Sequence, residues 1–155
     1  MSSDTDPDPT ELARSGWCSD VPRFVTVTVN EVTGRLRAFV PDASPEQLRA
    51  WQESVPPLQS QAQRILDRSQ LARQYTSILE YEPPLERRRS DAIILASGAV
   101  VVFELKGRSD ARQADIDQAA AYARDLRCYH ACCDPDRGGH AVHAVLVAMR
   151  AKGYL

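Results

Sequence analysis

Lysine is nearly missing from this chain: of its nineteen basic residues only Lys106 and Lys152 are lysine, the rest being arginine. Against that background each lysine invites a chemical question. Long apolar runs are missing too. No window approaches the roughly 18 uninterrupted apolar residues that a membrane span needs, and the start, Met1 to Thr10, is acidic rather than basic and then apolar, which speaks against a secretory leader. Cysteine is sparse, four in 155 residues, and the expectation is reduced thiols in a cytoplasmic protein rather than a disulfide frame. Net charge is only −2, so a globally basic nucleic-acid glove is excluded. No G-x-x-x-x-G-K-[ST] run occurs, so no P-loop motor is encoded in these residues.

What is present suits one soluble domain with enough chain for a core. The near-neutral total hides a split. Residues 1–60 hold nine acids and five bases, a balance of −4, and residues 61–155 hold twelve and fourteen, a balance of +2. An anionic partner would therefore meet the second part.

Residues 1–10 combine Asp, Pro and Ser without a large apolar group and read as a disordered acidic tail. Residues 11–43 read as an extension built on a β-hairpin. Phe24 to Asn30 alternates as FVTVTVN, Asn30 to Gly34 turns, and Arg35 to Val40 returns as a second strand. Ser44-Pro45-Glu46-Gln47 then opens a helix as a capping box with proline at its first position. Pro56-Pro57 kinks or ends that helix, and helical spacing continues to about Ser69. Tyr75 to Glu82, Asp91 to Ala96 and Ala99 to Lys106 read as strands, Gln113 to His130 as a helix, and Ala141 to Met149 as a last buried strand. In that helix Ile116, Ala119, Ala120, Ala123 and Leu126 lie on one face. Helix, three strands, helix, strand over residues 44–155 makes an α/β fold, a mixed central sheet flanked by helices.

The hairpin from Asp91 to Lys106 carries the strongest geometric statement. With Ser97-Gly98 as a two-residue turn, Asp91 lies directly across from Glu104, and Lys106 points to the same face. Two carboxylates and an ammonium thus converge at one end of an otherwise apolar strand pair. Opposed like charges are destabilising and half-buried ones need compensation. A divalent cation with oxygen ligands, Mg²⁺ or Mn²⁺, is the simplest compensation.

The run R-R-S-D-x12-E-L-K resembles the PD-(D/E)XK nuclease superfamily, with Asp91 as the motif aspartate and Glu104-Leu105-Lys106 as E-x-K; Ser90 stands where the family has proline. The resemblance covers roughly residues 44–149. L-E-Y-E-P-P at 79–84, R-R-R-S-D at 87–91, F-E-L-K at 103–106 and Q-A-A-A-Y-A-R-D-L at 118–126 are similar to the nuclease-like N-terminal domain of bacterial helicase-like proteins associated with nucleic-acid processing and phage defence. The resemblance implies a restriction-endonuclease-like αβββαβ core and Mg²⁺-dependent hydrolysis of phosphodiester bonds in DNA, with RNA as a further substrate and a helicase or ATPase partner. It implies Asp91 and Glu104 as metal ligands, and Lys106 as the group that orients water or stabilises phosphorane charge. A further acid is expected from the neighbouring strand or the first helix: Glu80 first, with Glu82, Glu46 and Glu53 as fallbacks. Gln118 is expected to line the site, with Tyr122 one turn on, and Arg87, Arg88 and Arg89 to touch phosphates.

Rival readings stand beside this one. Asp91, Glu104 and Lys106 also suit a salt-bridged sheet end, and Trp51 with Leu48 suits a core helix face. Cys128, His130, Cys132, Cys133, His140 and His143 invite a zinc reading, but their spacing lacks matched pairs and His143 falls inside a strand. A catalytically inactive module of the same fold could bind nucleic acid or dock on a motor. A regulatory interaction protein would instead use its N-terminal hairpin as the partner surface, and removing residues 1–40 would abolish the complex.

Overall fold

The computed structural model describes residues 14–83, 89–107, 109–129, 133, 134, 136 and 138–149. In chain order these form β1 (Trp17–Asp20), α1 (Val21–Thr26), α2 (Val29–Phe39), α3 (Pro45–Arg68), a 3₁₀ turn (Gln70–Gln74), β2 (Thr76–Tyr81), β3 (Ser90–Ala96), β4 (Ala99–Lys106), α4 (Gln113–Tyr129) and β5 (Ala141–Ala148). The strands make one mixed sheet in the order β1-β2-β3-β4-β5. The first four are antiparallel neighbours, and β5 runs parallel to β4. A parallel neighbour requires a crossover, and α4 supplies it.

Helices cover both faces. On one side Trp17, Val21, Phe24, Val32, Leu36, Trp51 and Val55 pack with Leu79 and Ala92 of the sheet. On the other, Tyr122, Ala123 and Leu126 of α4 pack with Ile93, Val100, Val102 and Val142. Alternation along β3 and β4 decides this division: Ala92 and Phe103 turn to the first core, Ile93 and Val102 to the second. The turn at Ser97-Gly98 places Ala96 opposite Ala99, with Gly98 at a φ of 75° that a side chain would resist.

The N-terminal hairpin is not there. Phe24 to Thr26 belong to α1, Val29, Asn30 and Arg35 to Phe39 belong to α2, and Val27, Thr28 and Val40 cap these helices. Two caps override the β propensity of FVTVTVN: Asp20 accepts from the Arg23 amide at 2.7 Å, and Thr28 accepts from the Glu31 amide at 3.1 Å. Val21 with Phe24, and Val32 with Leu36, then fall at helical spacing and are buried. The strand in this region is instead β1, which pairs Trp17 with Leu79. Gly16 lets the chain enter β1 beneath α2, since a β-carbon there would stand 2.5 Å from Leu36 Cδ2.

The α3 cap is as expected, with the Gln47 amide 3.2 Å from Ser44 Oγ. Pro56 and Pro57 lie inside the 24-residue helix and do not end it. In α4 the buried stripe holds Asp115, Ala119, Tyr122, Ala123 and Leu126, whereas Ile116 is 44% exposed and Ala120 is exposed, so the helix is rotated from the expected face. Among the described residues no helix is long and apolar enough to cross a membrane.

Because α1 and α2 share the core of the sheet, the N-terminal segment is no detachable arm. Leu36 is 1% exposed, so Leu36→Ala should cost about 2–5 kcal/mol of unfolding free energy in a urea titration. A change below about 0.5 kcal/mol, normal for exposed positions, would mean that α2 does not belong to the core.

Candidate functional site: three carboxylates and a lysine

Two registers meet at Asp91. Leu79 opposite Ala92 and Tyr81 opposite Ser90 set Glu80 beside Asp91; Ala92 opposite Phe103 sets Asp91 beside Glu104. Three acids therefore stand abreast across β2, β3 and β4. The Leu105 amide donates to Asp91 Oδ2 at 2.7 Å, so a side-chain carboxylate meets β4 just past the last backbone pairing of the hairpin.

Asp91 and Glu104 face each other at the end of the hairpin, two like charges whose repulsion and burial favour keeping a proton on the pair. Glu104 is 3% exposed. Burial, then the negative charge of Asp91, push its pKa up to about 7, against the pull of the Lys106 ammonium. Burial raises Asp91 as well, opposed by the Leu105 amide and Lys106. The Lys106 ammonium lies 3.5 Å from Gln118 Oε1 and 3.8 Å from Asp115 Oδ1. Both partners come from the first turns of α4, where Asp115 also accepts from the Arg112 amide at 3.4 Å.

Glu80 is 5% exposed, and its carboxylate is engaged by donors from outside the pair. Oε1 accepts from the Trp51 indole N–H at 2.9 Å, and Oε2 from Arg89 Nε at 3.1 Å. Its pKa is raised by burial, with the Trp51 bond opposing and Asp91 adding to the rise. Arg89 also approaches Glu82, at 4.0 Å. A cavity of about 110 Å³ between α3 and the sheet reaches Trp51, Glu80, Asp91 and Leu105.

The remaining expected residues are dispersed. Tyr122 is buried, and its hydroxyl donates to the Tyr81 carbonyl at 3.2 Å, so it braces α4 against β2. Arg89 faces carboxylates, and Arg87 and Arg88 lie outside the described residues. Glu46 pairs with Arg49 on the surface at 3.8 Å. Glu53 lines a separate groove of about 350 Å³ with Ala50, Ser54, Pro57, Leu105, Gly107 and Met149. His130 and Cys132 lie outside the described residues, Cys128 is exposed, and Cys133 is buried. Among the described residues no three His, Cys, Asp or Glu side chains could enclose a metal ion as they stand.

Two members of the site escaped the sequence reading. Asp115 is one, although its spacing of three from Gln118 puts both on one helix face. Trp51 is the other: it is core, 6% exposed, but its indole N–H is spent on Glu80. No family model matches the chain, and no curated protein or solved structure matches it.

Proposed function

We propose that this chain is a metal-dependent nuclease domain hydrolysing phosphodiester bonds of DNA, with a restriction-endonuclease-like core. The observation that carries the reading is the Asp91–Glu104 pair, two opposed carboxyls at the end of the β3–β4 hairpin, one half-buried and one buried, with Lys106 on the same strand. A site that must take up a proton to neutralise itself is one a divalent cation can enter by replacing that proton. Mg²⁺ commonly uses only one or two carboxylates, with waters and substrate phosphates completing its shell, so Asp91 and Glu104 suffice to hold it. The helix, three-strand meander, helix and parallel strand from Pro45 to Ala148 support the same reading.

Bound there, Mg²⁺ or Mn²⁺ would supply Lewis-acid polarisation of a phosphoryl oxygen. The chain's own residues do the rest. Asp91 is fixed by the Leu105 amide and so sets the position of the pair. Lys106, steadied by Gln118 and Asp115, offers its ammonium to the negative charge that grows on the phosphate in the transition state. A second reading, an inactive module that binds nucleic acid or docks on a helicase partner, is favoured by one observation: Glu80 is engaged elsewhere and leaves only two acids in place.

Calorimetric titration of Mg²⁺ and Mn²⁺ into the wild type and Glu104→Gln, followed by plasmid and single-stranded DNA, separates the two. Binding lost in the variant, with metal-dependent nicking by the wild type, is the expected result. No metal binding by the folded wild type would leave the docking module.

A further inference from the structure

We infer that Glu80 is a third metal ligand held in reserve, latched out of line by Arg89 and Trp51 and drawn back beside Asp91 when a divalent cation enters. This rests on the metal site proposed above and explains why three acids in register do not form a three-acid cluster.

The backbone carries the argument. Glu80 has a φ of 54°, and among the described residues it is the only non-glycine with positive φ. Such a conformation in a glutamate is strained and persists only where its surroundings over-determine it. It also breaks the alternation of β2. Ile78 packs on the α4 side and Leu79 on the α3 side. Strict alternation would return Glu80 to the α4 side, the face that Asp91 and Glu104 share with Ile93 and Val102. Instead the carboxylate reaches Trp51 of α3, and Tyr81, the next residue, packs on the α4 side. An extended φ at Glu80 would complete the row of three carboxylates.

The latch has somewhere to go. Arg89 already spans Glu80 at 3.1 Å and Glu82 at 4.0 Å, so on release the guanidinium keeps a carboxylate partner. The cavity reaching Trp51, Glu80 and Asp91, about 110 Å³, is roughly four water volumes and leaves room for the side chain to move. The driving force is charge. A divalent cation on Asp91 and Glu104 attracts Glu80 and repels Arg89 across a poorly solvated space. Trp51 loses its acceptor in the exchange and becomes a reporter.

Mg²⁺ is titrated into the full chain while heat and tryptophan emission are followed together. The same is done for Arg89→Ala, Arg89→Lys, Glu80→Gln and Arg89→Ala/Glu80→Gln, with Trp51→Phe identifying the emission source. The latch predicts an emission change on Mg²⁺ binding that Trp51→Phe removes. It predicts roughly fivefold or tighter Mg²⁺ binding in Arg89→Ala, near-wild-type binding in Arg89→Lys, and a change under about twofold for Arg89→Ala in the Glu80→Gln background. Heat without an emission change, or an equal gain from Arg89→Ala in both backgrounds, overturns the latch and leaves the Asp91–Glu104 metal site standing. No heat in the wild type or in Arg89→Ala overturns both.

Discussion

Glu104→Gln should unfold at a higher temperature than the wild type at pH 8 in EDTA, by roughly 5 °C or more, while losing divalent-cation binding and cleavage. The reason is the direction of the Glu104 pKa, raised from an ordinary 4.5 to about 7. Between those values the folded chain holds a proton that the unfolded chain has released. Stability is therefore fully present below about pH 4.5 and is lost as pH rises through about 7. At roughly 1.4 kcal/mol per pH unit the loss is about 3 kcal/mol, part of it shared with Asp91. For a chain of this size each kcal/mol is worth about 2–4 °C. Glutamine keeps the shape, stays neutral and can still donate to Asp91, so it escapes the loss. Thermal melts from pH 5 to 8.5 in EDTA check this: the wild type should fall with rising pH and the variant should stay nearly flat. Mg²⁺ at pH 8 should restore the wild type alone, because a ligand that binds only the folded state stabilises it. A wild type that gains stability towards pH 8 in EDTA would show that the pair keeps no such proton.

The second large effect separates folding from chemistry. Asp91→Ala and Lys106→Ala should remain folded, with a denaturation midpoint close to that of the wild type, and lose at least about a hundredfold in the rate of plasmid nicking, the scale at which loss of one transition-state stabiliser is felt. Lys106 is partly exposed, and its nearest described partners, Gln118 and Asp115, stand at 3.5 and 3.8 Å, so its structural share is small. Asp91 gives up one bond from the Leu105 amide and relieves one like-charge contact, two changes of opposite sign. Equal losses of stability and of activity in both variants would make the cluster a structural sheet end instead.

Most of the element order was legible from local pattern. The two-residue turn at Ser97-Gly98 fixes a register, and that register alone places Asp91 opposite Glu104 with Lys106 nearby. The Ser44 box starts α3, and the apolar runs mark β2 to β5. The N-terminal segment misled because FVTVTVN satisfies a strand template while the signals for helix, Asp20 with Pro22 and Thr28 with Glu31, are short. Propensities of a few tenths of a kcal/mol per residue yield to caps worth about 1 kcal/mol and to burial of Val32 and Leu36 against a sheet.

The acid row divides along the same line. Sequence by itself determined that Asp91 and Glu104 come abreast, since the two-residue turn and strand alternation set that register, whereas the β2–β3 pairing that brings Glu80 into the row came from the structure. Only the tertiary structure decided which way Glu80 turns. Its partners are Trp51, which lies 29 positions earlier on a helix packed over the sheet, and Arg89, nine positions later. It likewise rotated α4 so that Asp115 and Gln118 meet Lys106. The physical reason is range: backbone pattern is dictated by neighbours along the chain, whereas the direction of a buried charge is dictated by whichever donors packing brings within 3 Å or so.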